Sequence, residues 1–132
     1  MLEVIFYRDE GDRLAGISAH GHADFAEYGE DVVCAAVSAV LQAARLGLEE
    51  HARVELEVRQ APGELRLRWP EARRGLDSVG AIVATAELAI AEIARRFPDH
   101  VSLRRRKTTG EPGGRDAGRV SSLADRRRRH DV

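Results

Sequence analysis

A single cysteine, a single lysine and no long apolar run are the low counts of this 132-residue chain, and each closes off a reading. Cys34 alone cannot form an intrachain disulfide, which points to a reduced, cytoplasmic thiol. Lys107 is the one lysine among 21 basic residues; an arginine-biased codon usage accounts for that and says little about function. No stretch approaches the ~20 consecutive apolar residues of a membrane span. Met1-Leu2-Glu3-Val4 lacks the basic flank and apolar block of a secretory signal. With 43% hydrophobic and 33% charged residues, the expectation is one soluble globular domain with one core and no membrane association.

The formal net charge of −1 hides a division. From residue 104 to the end stand ten basic residues against four acidic ones, while the first 103 residues carry 11 basic and 18 acidic. An acidic body thus precedes a basic tail. After Lys107 comes the breaker-rich stretch Thr108-Thr109-Gly110-Glu111-Pro112-Gly113-Gly114, and beyond it almost no large apolar residue. Such a segment buries too little to offset its ordering entropy. The expected organisation is a domain over 1–107 and a disordered basic tail over 108–132.

Within the body, Leu2, Val4 and Phe6 alternate with polar positions, Asp9-Glu10-Gly11-Asp12 turns, and residues 14–20 resume an extended pattern, predicting a hairpin. Residues 21–30 have no period and read as a loop. From Val33 the apolar positions Val33, Ala36, Val37, Val40, Leu41, Ala44 and Leu48 fall 3 and 4 apart, predicting a helix of about four turns with Asp31 as its cap and His51 at its far end. Residues 54–58 and 65–69 alternate around Ala61-Pro62-Gly63, predicting a second hairpin. A second helix is expected from near Gly75 to Arg96, stopped by Pro98, and a final strand over 100–105. The order ββαββαβ implies an α+β domain, a mainly antiparallel sheet with both helices on one face.

Chemistry concentrates between His20 and Ala39. With Asp31 as cap, Cys34 is the third helical residue, where unpaired N–H groups and the positive end of the helix dipole favour a thiolate. The thiolate is a nucleophile. His22 ends the strand leading into the loop, and its imidazole could hold the thiolate and protonate a leaving amine. The N–H groups of Cys34 and its neighbours are candidate oxyanion donors. The plain alternatives stay open on these residues alone: a lone Cys is often a small buried hydrophobe, Asp31 can be only a cap, and Ser38 can bond its own helix. Gly21 and Gly29 read either as hinges of the loop or as turn residues.

The run Gly21-His22-Ala23 followed by Gly29-Glu30-Asp31-Val32-Val33-Cys34-Ala35-Ala36-Val37-Ser38 strongly resembles the ribosomal-processing cysteine protease family (Prp), and the likeness extends to about Lys107. It implies a cofactor-free cysteine endopeptidase with Cys34 as nucleophile and His22 as general base and acid. It also implies Asp31 and Ser38 in support, and Gly21 and Gly29 at the ends of a mobile loop. The family implies a homodimer whose substrate is a ribosomal protein precursor, protein twenty-seven of the large subunit, cut after a short Phe-containing apolar segment. The arginine-rich tail has no counterpart in the motif.

Two rival readings remain. His20 and His22 could join Cys34 and Asp24 or Asp31 around a zinc ion. Alternatively, a non-catalytic ribosome-assembly module could hold RNA weakly through the basic tail, by counterion release rather than stacking, since the tail has no aromatic residue.

Overall fold

The computed structural model describes residues 1–21 and 28–108, leaving aside the side chains of 28–31. His22, Asp24 and the basic tail beyond Thr108 lie outside the described residues, as does most of the expected loop 21–29. The elements run β1 (Leu2–Arg8), β2 (Leu14–His20), α1 (Tyr28–Leu46), a π-helical turn (Gly47–His51), β3 (Glu57–Ala61), β4 (Glu64–Arg68), a 3-10 turn (Glu71–Arg73), α2 (Asp77–Arg96) and β5 (Val101–Lys107). This is the expected ββαββαβ order. The five strands lie in the order β3-β4-β2-β1-β5. All neighbours are antiparallel except β1 and β5, which run parallel with Leu2 opposite Val101 and Arg8 opposite Lys107.

Period-two alternation decides which side of the sheet is buried. Leu2, Val4 and Phe6 of β1, Ile17 and Ala19 of β2, Leu65 and Leu67 of β4, and Val101 of β5 join one core with Val33, Val37, Leu41 and Ala44 of α1 and Val79, Val83, Ala86 and Ile90 of α2. Trp69 extends the same face, buried, with its indole N–H donating to the Leu14 carbonyl at 2.9 Å. At about 25 cal/mol per Å² of apolar surface removed from water, this single cluster is the main stabilising term.

Three expectations shift. The first helix begins at Tyr28, so Asp31 is its fourth residue rather than its cap, and Gly29 lies inside the helix rather than ending a loop. The 3–4 period marks only that part of a helix which touches the core, and it begins at Val33; the preceding turn carried no such signal. Glu30 and Asp31 suit the positive end of a helix as well as they suit a cap. The second strand pair is also displaced: β3 covers residues 57–61, not 54–58. Val54, Leu56 and Val58 are all buried, which accounts for their alternation. The two-residue turn at Pro62 and Gly63 fixes the register, however, and β4 runs out of partners where Arg68 meets Glu57. Finally, α1 does not stop cleanly. It widens into a π-turn in which Ala52 N–H donates to the Gly47 carbonyl at 2.9 Å, and Gly47 lets Ile82 of α2 approach closely.

Val32–His51 has the length and mean hydropathy of a membrane span, although no apolar run in the sequence suggested it. Its alanines raise the average, and its periodic face is packed in the core. Val32 and Leu46 stay 68% and 54% exposed on the outer side, with Ala35, Ala36, Ala39 and Ala43 exposed between them.

At the end of the sheet where β1 and β5 finish, Glu87 of α2 is 6% exposed. It accepts hydrogen bonds from Arg8 Nη1 and Nη2 at 3.1 and 3.0 Å and from Arg105 Nε at 2.8 Å. One carboxylate thereby joins the first strand, the last strand and the second helix. Burial alone would raise its pKa, but the Arg8 bonds and charge, with those of Arg105, outweigh that and hold it below the usual carboxylate value. A carboxyl whose folded pKa is depressed adds stability at neutral pH, lost as pH falls through that folded value. Glu87→Ala is expected to cost about 1–3 kcal/mol, because it removes a buried carboxylate and leaves the half-buried Arg8 and the exposed Arg105 without their partner. Melts followed by Trp69 fluorescence should show wild-type stability dropping below about pH 4, with Glu87→Gln less stable at pH 7 and flatter over the acid range.

Candidate active site

Cys34 and Ser38, one turn apart on α1, line a cleft of about 180 Å³. The opposite wall is the β3–β4 hairpin, through Gln60, Ala61, Gly63 and Glu64, and the end of β2 contributes Gly21. Leu2, Val37, Leu41 and Leu65 form its apolar floor. The cleft thus offers a free thiol, a wall with one carboxylate, Glu64, and a few other polar groups, over an apolar floor, the composition of a site for a short peptide segment.

Each wall has a local cause. Cys34 is half-buried and packs against the core, one residue on from buried Val33, so its side chain sits at the boundary between core and solvent. Thr85 of α2 uses its hydroxyl to donate to the Ala81 carbonyl at 2.7 Å. Ser38 makes no such bond among the described residues and is exposed, which leaves its hydroxyl available to a bound molecule. Arg45 donates to Gln60 at 3.0 Å, tying α1 to the outer strand beyond the cleft.

Gly21 is required as glycine. Its φ is +92°, and a Cβ there would run into the Met1 carbonyl oxygen. Its N–H donates to the Gly63 carbonyl at 3.1 Å, so the last residue of the β2 wall is pinned to the hairpin turn, whose Gly63 also has a positive φ of 74°. The chain is therefore directed at the cleft immediately before His22.

Two sequence-based arguments about Cys34 change. Cys34 is the seventh residue of a helix starting at Tyr28, so it lies beyond the first turn, within which the dipole effect falls off. Its own N–H belongs to the helical ladder and not to the unpaired first turn, so it is not an oxyanion donor. The zinc reading loses a ligand. His20 faces the other side of the sheet, with Nε2 3.1 Å from Glu3 Oε1, while Cys34 faces the helix side. Among the described residues, no three His, Cys, Asp or Glu side chains cluster as metal ligands.

Known structures share this fold. The ribosomal processing protease Prp from S. aureus, solved with a covalently linked product peptide, superposes with a TM-score of 0.71 at 22% identity, covering 80% of this chain and 99% of that one. The same protease with a substrate peptide gives 0.72 at 21% identity over the same shares. A Streptococcus mutans protein gives 0.72 at 27% identity, covering 82% and 96%. No curated protein matches the chain in sequence. The fold is thus the small α+β fold of these proteins. The sequence pattern of the family described as Cysteine protease Prp matches residues 1–102, and the chain belongs to that family. It is a cysteine protease.

Cys34, Ser38 and Gly21, singled out in the sequence, all line this cleft, whereas the hairpin wall was not foreseen. Gln60, Gly63 and Glu64 carry no catalytic signature, and only the strand order brings them opposite α1. Gly21→Ala is expected to lose at least about 1 kcal/mol from the left-handed conformation alone, with the clash added. Urea melts should show the loss, and peptide turnover should fall with it because the β2 wall shifts.

Proposed function

We propose that this protein removes the N-terminal extension of a ribosomal protein precursor, protein twenty-seven of the large subunit, with Cys34 as nucleophile and His22 as general base and acid. One observation carries the assignment of the nucleophile: a cysteine protease needs a thiol, and the only one in this chain opens onto a peptide-sized cleft. His22 follows Gly21 directly, and Gly21 lines that same cleft. The S. aureus relative, a ribosomal processing protease solved with substrate and product peptides, supports a ribosomal protein as the substrate.

In this reading His22 takes the Cys34 proton, and the thiolate attacks the scissile carbonyl carbon. The resulting imidazolium then protonates the departing amine, and a water activated by the same imidazole releases the acyl group. The exposed Ser38 hydroxyl, which lines the cleft, donates to the bound peptide. Asp31, in the first turn of α1, favours the imidazolium through its charge. The reaction needs no cofactor.

The enzyme works in the cytoplasm as a homodimer. The outer face of α1, apolar from Val32 to Leu46 with alanines between, suits packing against its own copy. Residues 1–107 form the catalytic domain, and the tail from 108 is dispensable for folding and peptide cleavage, with at most weak contact to RNA.

Incubating the protein with the precursor and reading products by intact mass tests the substrate: a single N-terminal cut supports it, and an intact precursor beside a cleaved general peptide refutes it. Cys34→Ala and His22→Ala should each abolish cleavage while the Trp69-monitored melt stays within about 1 kcal/mol of wild type. Turnover by Cys34→Ala would refute the assignment. Truncation after residue 107 should leave peptide turnover unchanged, and lost turnover would move the domain boundary.

A further inference from the structure

The side of the sheet turned away from both helices carries a pattern that the cleft does not use. Register sets its side chains in rows across all five strands. One row reads Arg59, Arg66, Ser18, Ile5, Arg104 from β3 to β5, and the next reads Glu57, Arg68, Gly16, Tyr7, Arg106. Two rows thus hold five arginines and one carboxylate. The arginines stand on the outer strands, and the central floor between them is made of Gly16, Ser18 and Ile5, all three buried, and of half-buried Tyr7. From β4 to β5 is three strand spacings, about 14 Å.

Interactions within the fold account for only part of this arrangement. Arg59 and Arg66 are directly opposed, a like-charge cross-strand pair that weakens a sheet. Arg66 reaches Glu64 at 3.4 Å and Arg104 reaches Glu3 at 3.1 Å, both carboxylates belonging to the neighbouring row. Arg59 and Arg106 are exposed and make no ion pair among the described residues. Tyr7, on a central strand, is half-exposed with its hydroxyl 3.4 Å from the Ser18 oxygen. An aromatic ring on a central strand with guanidinium groups on both flanks offers stacking to a base and charge to the phosphates on either side.

We propose that this face binds single-stranded RNA, with Tyr7 stacking on a base and Arg59, Arg66, Arg68, Arg104 and Arg106 neutralising phosphates. The choice of RNA rests on the ribosomal reading above; the charge and stacking arguments do not. The site faces away from Cys34, so an RNA-bound enzyme keeps its cleft open to a peptide.

The test uses the full chain and a fluorescein-labelled oligouridine of about 20 nucleotides, with anisotropy read over a range of salt. Arg59→Gln/Arg66→Gln/Arg106→Gln should weaken binding about tenfold or more at low salt and reduce the salt slope by about 2, since each single-strand phosphate contact contributes about 0.7. Tyr7→Leu should weaken binding about tenfold with the slope unchanged. Peptide turnover should match wild type in both, which separates failure of this proposal from failure of the protease reading. Should the triple variant melt early, Arg59→Gln/Arg106→Gln, which removes no ion pair, should still lower the slope by more than 1. Unchanged affinity and slope in these variants would overturn the proposal and leave any RNA binding to the tail. A change in sedimentation with RNA binding intact would overturn it in favour of a contact between copies.

Discussion

The parallel pairing of β1 with β5 is the constraint on which the rest of the structure depends. β1 lies between β2 and β5, and its Val4 and Phe6 are fully buried. A parallel neighbour cannot arrive through a tight turn; it needs a crossover, which here includes both helices and the second hairpin. Laying β5 beside β1 therefore fixes where α2 must run, and the Arg8–Glu87–Arg105 cluster secures that arrangement at the far end of the sheet. At the near end, Leu2 N–H donates to the His100 carbonyl at 2.9 Å, and the Met1 carbonyl occupies the space that a Gly21 side chain would need. The wall of the cleft is thus built on the start of the same strand.

Charge at this sheet follows the same division. Among the described residues, the buried carboxylates Glu87 and Asp9 have matched partners, Glu87 in Arg8 and Arg105 and Asp9 in Arg13 and Arg74. Asp9 is held below its usual pKa first by the Arg13 backbone N–H and then, against its burial, by Arg74 and the Arg13 charge. It closes the β1–β2 turn, where Asp12 takes a positive φ of 67°. On the side of the sheet turned away from the helices, arginines outnumber acids and remain in contact with water, where a cation keeps its hydration and its attraction for an external anion.

Much of this was legible in the sequence because period two and period 3.6 record burial directly. Leu2-Val4-Phe6 and Val37-Leu41-Ala44-Leu48 announce the faces they bury, and a short two-residue turn is visible in Pro62-Gly63. Where burial and hydrogen bonding part company, the reading slipped: Val54 and Leu56 are as buried as strand residues but lie outside the ladder. The start of α1 was placed too late because only the segment touching the core is periodic. Cys34 could be picked out by its chemistry, yet its depth in the helix depends on that misplaced start. The Glu87 cluster and the hairpin wall gave no signal, since partners 79 residues apart, such as Arg8 and Glu87, meet only once the strand order is known.

That β5 is the last of the described elements and the neighbour of β1 also bears on how the chain is made. During synthesis β1 and β2 can pair at once, but one edge of β1 must wait until nearly the whole domain has followed. Leu2-Glu3-Val4-Ile5-Phe6-Tyr7 is rich in β-branched and aromatic residues with a single charge, and in that interval it is an open edge of the kind that recruits other chains. Its protection is a matter of timing, since the shield is a distant segment of the same polypeptide. Any change that delays β5, or loosens the carboxylate that holds it, lengthens the exposure, so aggregation of nascent chains is the failure to which this topology is most open.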